Sequence, residues 1–130
     1  MRDDPESSVL RLSIPARPEY LVFTRLVLTG LSRSTEIDEE TLADLKLAVT
    51  EICSPSVRGA GDGPGVPEIR LSYELSSDSL RVEVEETGHG VRDEAEEDAM
   101  GLAIASALVD ELELVEVSSG SRIVLTKRLR

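Results

Sequence analysis

Residues 82–112 constrain the fold more than any other part of the chain. Residues 82–85 alternate valine with glutamate, the period of a half-buried strand. The pattern breaks at Gly88 and Gly90, because two glycines so close together let a backbone turn sharply or approach a ligand. A helix is then predicted from Met100, with apolar residues at helical spacing as far as residue 112. The segment therefore predicts a strand, a glycine turn, a loop and a helix.

Such a strand-to-helix connection has two interpretations. Backbone N–H groups near the start of a helix can hold phosphate, so the glycine turn is a candidate nucleotide cradle. Most glycine turns are only turns, however, and five acidic residues crowd the loop before the helix: Asp93, Glu94, Glu96, Glu97 and Asp98. His89, between the two glycines, is interpreted as an exposed loop residue rather than a catalytic base or metal ligand.

Composition limits the partners. The chain has 130 residues, enough for one domain that buries roughly two-thirds of its unfolded surface. Its formal net charge of −12 argues against direct contact with nucleic acid or anionic membranes and suits a basic protein partner, although acidity also serves solubility.

Cys53, the single cysteine, is interpreted as a core residue, and no metal site is expected. Without a signal peptide or a long apolar run, a cytoplasmic protein is expected.

The remaining elements can be predicted in chain order. Residues 1–8 are expected to be a flexible tail, and residues 9–130 a single domain. A strand at residues 9–14 precedes a helix that starts at Pro18. Its apolar face is marked by Tyr20, Phe23, Val27 and Leu31 and broadened by Leu21 and Leu28. Further strands are predicted at 69–75, 80–85, 114–117 and 123–126. The order β-α-α-β-β-α-β-β predicts an α+β fold, a two-layer sandwich with about three helices on one face of a mixed, mainly antiparallel sheet.

The second predicted helix carries the first candidate site residue. Asp38 is the expected N-cap, and apolar residues from Leu42 to Cys53 form a continuous stripe. Glu51 lies late in this helix, where a carboxylate is either solvent-facing or part of a site. Pro55 follows four residues later, and because proline lacks an N–H, a kink or an early end is expected near residues 52–56.

Taken together, these segments resemble the ATP-binding domain of the GHKL, or Bergerat, superfamily, and more closely the anti-sigma factor serine kinases of the RsbW type. The resemblance rests on LRLSIPARPEYLVFTRL near the start, DLKLAVTEIC in the second helix, the glycine turn, MGL, and SRIVLTKRL at the end. It implies a Bergerat-type fold, ATP and Mg²⁺ as cofactors, and two kinds of partner. These are a sigma factor and a STAS-type anti-anti-sigma protein whose serine is phosphorylated; a homodimer is also implied.

The resemblance assigns roles to particular positions. Glu51 takes the place of the catalytic glutamate, and Pro55 stands where such kinases carry the asparagine that holds magnesium. No other position can supply that amide, because the sequence contains neither Asn nor Gln. Arg25 stands where relatives carry a partner-facing arginine on the first helix; alternatively, it is a solvated helix charge.

The nucleotide motifs also depart from the family pattern. Glu86 replaces the adenine-reading aspartate before Gly88 and Gly90, and Ala99 replaces the first glycine of the motif that ends in Gly101 and Leu102. The acidic segment between them would repel a triphosphate unless it recruits a metal.

Three functions follow from this pattern. The leading hypothesis is an anti-sigma-factor-like regulator, a pseudokinase that binds its partners but has impaired ATP binding. The alternative is an active serine kinase, in which Glu51 is the base, Glu86 reads adenine and the acidic segment supplies substitute magnesium ligands. A detached histidine-kinase ATPase domain ranks last, because the only histidine lies in the glycine turn.

Overall fold

The computed structural model describes the backbone of residues 8–60, 67–87, 95–117 and 120–129, and side chains within 8–58, 67–86, 99–115 and 122–129. Within these ranges the chain forms five strands and three α-helices in the predicted order. Their bounds are β1 (Ser8–Pro15), α1 (Val22–Ser34), α2 (Glu39–Ala60), β2 (Glu68–Leu75), β3 (Ser79–Thr87), α3 (Ala95–Leu108), β4 (Glu111–Val117) and β5 (Gly120–Arg128), and a 3-10 turn (Pro18–Tyr20) precedes α1. In this described part, no helix combines the length and apolarity needed to cross a membrane.

The strands form one open sheet in the order β1-β2-β3-β5-β4. Each of the four pairings among the described strands is antiparallel, where the sequence left room for a mixed sheet. Strand β2 shows the alternation most clearly, since Ile69, Leu71 and Tyr73 are buried while Arg70 between them is exposed. One face of the sheet is covered by the helices, so the predicted two-layer α+β sandwich is confirmed.

Helix α2 lies at the centre of the core. Its predicted apolar stripe is buried, from Leu45 through Val49 to Cys53. The helix starts as expected, because the backbone N–H of Thr41 donates to Asp38 Oδ1 at 2.7 Å and thereby caps the first turn. Burial raises the pKa of the Cys53 thiol to about 12, which fits the interpretation of this cysteine as an inert core residue.

The buried face of α1 is the predicted one except at Phe23, since Leu31 is buried and Tyr20 and Val27 pack against the core. Phe23 is 43% exposed, whereas Thr24 and Leu28 are fully buried. Tyr73 Oη donates to the carbonyl oxygen of Thr24 at 3.1 Å and so connects α1 to the sheet, while Thr24 Oγ1 donates locally to Leu21 O at 2.7 Å. A short 3-10 turn occupies Pro18–Tyr20, so α1 itself begins at Val22 rather than at Pro18.

The bounds of α3 were predicted wrongly at both ends. The helix begins at Ala95 rather than Met100, because alanine and glutamate favour helix and acidic residues stabilise its first turn. It ends at Leu108, whose carbonyl oxygen accepts a hydrogen bond from Lys127 Nζ at 3.0 Å. Leu112, expected on this helix, belongs to β4 and pairs with Leu125.

Pro55 does not end α2. The helix continues to Ala60, so the expected early end is wrong, and the alternative, a kink, stays a prediction. Ile52 and Cys53 before the proline and Ser56 after it are buried, and this packing holds both sides of the helix against the core. Because proline has no N–H, the carbonyl oxygen of Glu51 receives no hydrogen bond from the residue one turn further on.

Candidate functional site

The structure brings together two residues from opposite ends of the predicted site. Glu51 on α2 and Gly101 on α3 meet where these helices pack: a Cβ built on Gly101 would lie 3.2 Å from Glu51 Oε1 and 3.4 Å from Glu51 O. Gly101 is buried and Glu51 is half-buried. The carboxylate predicted as catalytic therefore lies against the glycine predicted as part of the nucleotide motif, although 50 residues separate them in the sequence.

The position expected to bind magnesium is occupied by a residue that cannot do so. Pro55 is one turn beyond Glu51 on α2, half-buried, and offers no side-chain oxygen or nitrogen. Among the described residues, no three acidic, histidine or cysteine side chains are grouped so that they could hold a metal ion. Position 55 itself therefore offers Mg²⁺ no side-chain ligand.

Glu86, the expected adenine reader, lies near the end of β3. Its side chain points to the same face as the buried residues Val82 and Val84, and Glu86 is only 9% exposed. It also has an interaction partner. A buried carboxylate on the helix-covered face of the sheet is in the right layer to line a pocket beneath the helices, because β3 contacts α2.

The other nucleotide-motif residues divide into two groups. Gly88 and Gly90 lie outside the described residues, as do His89 and the first two acids of the predicted loop, Asp93 and Glu94. Leu102 is half-buried on α3, and Ala99 is exposed on the same helix. Glu96, Glu97 and Asp98 lie in the first turns of α3 instead of a loop.

Arg25 is held against α2. Its Nη1 atom donates to Thr50 Oγ1 at 3.3 Å, and Thr50 directly precedes Glu51. Arg25 is half-buried, so it is neither a fully solvated charge nor a buried one. Thr50 Oγ1 in turn donates to Lys46 O at 2.8 Å. The arginine expected to face a partner thus contacts the residue that directly precedes the candidate catalytic carboxylate.

Large apolar side chains are exposed on the same two helices as Arg25 and Thr50. Val22 and Leu26 lie one turn apart on α1, and Leu47 lies one turn before Thr50 on α2. Leu26 is the most exposed of these, at 56%. We call Val22, Arg25, Leu26 and Leu47 the α1–α2 surface. The sequence analysis missed its apolar members; the available signal was that Leu26 and Leu47 fall outside the helical stripes that fill the core.

Known proteins resemble this chain over most of its length. A family model described as the histidine kinase-like ATPase domain matches residues 14–127. The serine-protein kinase RsbW of Listeria innocua is 30% identical, over 91% of this chain and 85% of the relative. The protein of the same name from Bacillus velezensis is 29% identical, over 92% and 85% of the two chains.

Solved structures show the same fold. The crystal structure of the RsbU and RsbW domains of Rv1364c from Mycobacterium tuberculosis superposes with a TM-score of 0.74 at 22% identity, covering 94% of this chain but only 32% of that one. The histidine kinase domain of the blue-light activated kinase EL346 from Erythrobacter litoralis superposes with a TM-score of 0.52 at 21% identity, covering 89% of this chain and 62% of that one.

Proposed function

The chain belongs to the histidine kinase-like ATPase family, and from this premise we propose that it is an anti-sigma-factor-like regulator with impaired ATP binding. In this proposal it binds a sigma factor, a STAS-type anti-anti-sigma protein, or both. Relatives that cover most of the chain carry the name serine-protein kinase. In this proposal, the protein has the scaffold and the partners of such kinases but not their full catalytic chemistry.

The observation that carries the proposal is Pro55. It stands one turn beyond Glu51 in a continuous helix, where the resemblance calls for the amide that holds magnesium. Mg²⁺ requires oxygen ligands in near-ideal geometry, and triphosphates rely on a cation to neutralise their charge. A carbon ring at this position offers no side-chain oxygen or nitrogen, so under the proposal the site has one magnesium ligand fewer than an active kinase of this type.

The α1–α2 surface supports the partner-binding half of the proposal. Leu26, Val22 and Leu47 expose apolar area on the same two helices as a half-buried arginine and its hydrogen-bond partner. Protein interfaces have this composition, with apolar anchors and arginine at the centre. The formal net charge of −12 would speed encounter with a basic partner region by long-range attraction. Cytoplasmic location and a homodimer form part of the same proposal.

Thermal unfolding tests the part of the proposal that concerns impaired ATP binding. ATP at about a hundred times its dissociation constant adds roughly 2.7 kcal/mol to the stability of a protein that binds it. We expect no magnesium-dependent rise in Tm up to millimolar ATP. A clear rise that requires Mg²⁺ would refute impaired binding, and attention would turn to a phosphorylated serine on a partner protein.

Direct binding measurements test the partner-binding half of the proposal. The purified chain would be titrated by calorimetry with a candidate sigma factor and with a STAS-type protein from the same genome, each without nucleotide. We expect saturable binding of at least one of them. If neither binds with or without ATP and Mg²⁺, the regulator assignment is wrong even where the nucleotide result agrees.

One observation favours an active serine kinase as the second candidate. Glu51 is retained and lies against Gly101, so two parts of the expected site are still assembled. A carboxylate at this position could accept the proton of a partner serine hydroxyl. Transfer of labelled phosphate to a STAS-type protein, lost on Glu51→Gln substitution, would establish this function in place of the first.

A further inference from the structure

Gly101 occupies a position where glycine is intrinsically unfavourable. It lies in the interior of α3, seven residues from the helix end at Leu108, and no left-handed backbone conformation requires glycine there. Glycine is the least favourable residue after proline in a helix interior, because it loses the most backbone entropy on folding. Alanine would therefore be expected at this position unless a neighbour needs the space.

The neighbour is Glu51. An added methyl carbon would lie 3.2 Å from Glu51 Oε1, closer than ordinary van der Waals contact, while Glu51 O at 3.4 Å and Glu51 Cβ at 3.9 Å would be at contact distance. All three nearest atoms belong to this one residue. The closest of them is the end of a flexible side chain, so a methyl group would displace the carboxylate more readily than it would separate the helices.

We propose that Gly101 is a positioning residue for Glu51: the missing side chain at 101 leaves the space in which the carboxylate lies. The resemblance connects this glycine with nucleotide binding. A Cβ built on Gly101, however, would point towards the Glu51 carboxylate on α2. This role goes beyond the proposed function and does not depend on it, because it concerns where Glu51 lies whether or not ATP binds.

The chain offers a matched control. Gly30 also lies within a helix, α1, and a Cβ added there would meet nothing within 4 Å. Gly30→Ala therefore reports the gain from helix propensity alone, a rise in Tm of about 3 °C for a domain of this size. Gly101→Ala would gain at least as much in the absence of Glu51, since its methyl would also be buried between helices.

The experiment compares Gly30→Ala, Gly101→Ala, Glu51→Ala and the double variant Glu51→Ala/Gly101→Ala by thermal unfolding without ligand. We expect Gly101→Ala to raise Tm less than Gly30→Ala, or to lower it, when Glu51 is present. In the Glu51→Ala background, the same change should raise Tm by about 3 °C or more. If Gly101→Ala raises Tm equally in both backgrounds, the proposal is overturned.

A spectroscopic readout separates positioning from simple packing. With glutamate labelled at the side-chain carboxyl carbon, the Glu51 resonance is the one absent from Glu51→Ala. It should shift in Gly101→Ala and remain in place in Gly30→Ala, and an unmoved resonance in Gly101→Ala overturns the proposal. Should Gly101→Ala fail to fold, recovery of folding in the double variant supports it, and failure of both variants overturns it.

Discussion

The two sides of helix α2 differ in the contacts that they make. Towards α1, Thr50 accepts a hydrogen bond from Arg25, and Leu26 and Leu47 are exposed on the same two helices. Towards α3, Glu51 lies against Gly101, and Pro55 stands one turn further on without a side-chain oxygen or nitrogen. Adjacent residues of one helix thus lie on a side with exposed apolar groups and on a side packed against another helix. Under the proposed function, the second side has lost part of its chemistry while the first still binds partners.

This difference has a physical basis. A protein-binding surface needs apolar area and a few anchors, and it tolerates changes at its rim. A metal–nucleotide site needs each ligand within a fraction of an ångström, so one substitution such as proline for an amide removes its function. Substitutions at Leu26 and at Pro55 should therefore act on different sides of α2.

The largest expected effect is on stability, at Pro55. Proline costs about 3 kcal/mol in a helix interior, offset in part by its restriction of the unfolded chain, so Pro55→Ala should stabilise the protein by about 2 kcal/mol. Chemical denaturation would measure this gain.

Comparison of Pro55→Ala with Pro55→Asn then isolates the ligand. Both variants restore the backbone N–H, but only Asn offers an amide oxygen, so Pro55→Asn alone should bind ATP more tightly in the presence of Mg²⁺. Equal affinity in the two variants would mean that the pocket is lost for other reasons as well. Neither change should alter partner affinity if the two sides of α2 are independent.

The second effect is on partner affinity, at Leu26. Because this side chain is 56% exposed, Leu26→Glu should leave the fold intact. Loss of a central apolar anchor costs about 2 kcal/mol or more, which is about 30-fold in dissociation constant. Calorimetric titration with the sigma factor or STAS-type protein would show it.

Leu114→Glu is the matched control, since Leu114 is 50% exposed on β4, away from the α1–α2 surface. It should leave the affinity unchanged. Equal losses in the two variants would show that a general change of charge, and not the α1–α2 surface, governs binding.

Sequence reasoning succeeded where local chemistry decides the structure. Strands with a two-residue period, the cap at Asp38 and the stripe that buries Val49 were all predictable, because each depends on neighbours within one or two turns. The start of α3 at Ala95 was missed because acidity suggested a loop, although the same acids favour a first helical turn.

Contacts between helices could not be predicted in this way. Glu51 lies 50 residues from Gly101, and Arg25 lies 25 from Thr50, so only the packing of α1 and α3 on α2 brings these pairs together. Pro55 was expected to kink the helix or end it early. The early end did not occur, because the cost of proline is local whereas the buried side chains that outweigh it belong to the core. The candidate site was therefore predictable as a set of residues but not as an arrangement.

A smaller effect is expected at Tyr73. Its hydroxyl donates to Thr24 O at 3.1 Å and ties α1 to the sheet, and burial raises its pKa above the ordinary value. Tyr73→Phe should cost about 1 kcal/mol, the net worth of one such hydrogen bond. Tyr20→Phe, which removes a hydroxyl from a half-buried ring, is the control and should be nearly neutral by denaturant titration. A larger loss at Tyr20 than at Tyr73 would contradict this assignment.

The smallest effect is a pH dependence at Asp38, which caps the helix shared by both sides. The hydrogen bond from the Thr41 N–H lowers the pKa of this carboxyl below its ordinary value. A lowered folded-state pKa means that the cap stabilises the protein above the unfolded-state value near 4, and that this stabilisation is lost as pH falls through the folded-state pKa. Asn also caps helices but does not titrate in this range, so the stability difference between the native protein and Asp38→Asn should fall between pH 5 and pH 3. A difference that is constant over this interval would mean that the Asp38 charge contributes nothing to the cap.

Because α2 carries both surfaces, loss of the Asp38 cap should change partner affinity and the coupling of Glu51 to Gly101 together. The substitutions at Leu26 and Pro55, in contrast, should change one of these two properties without the other.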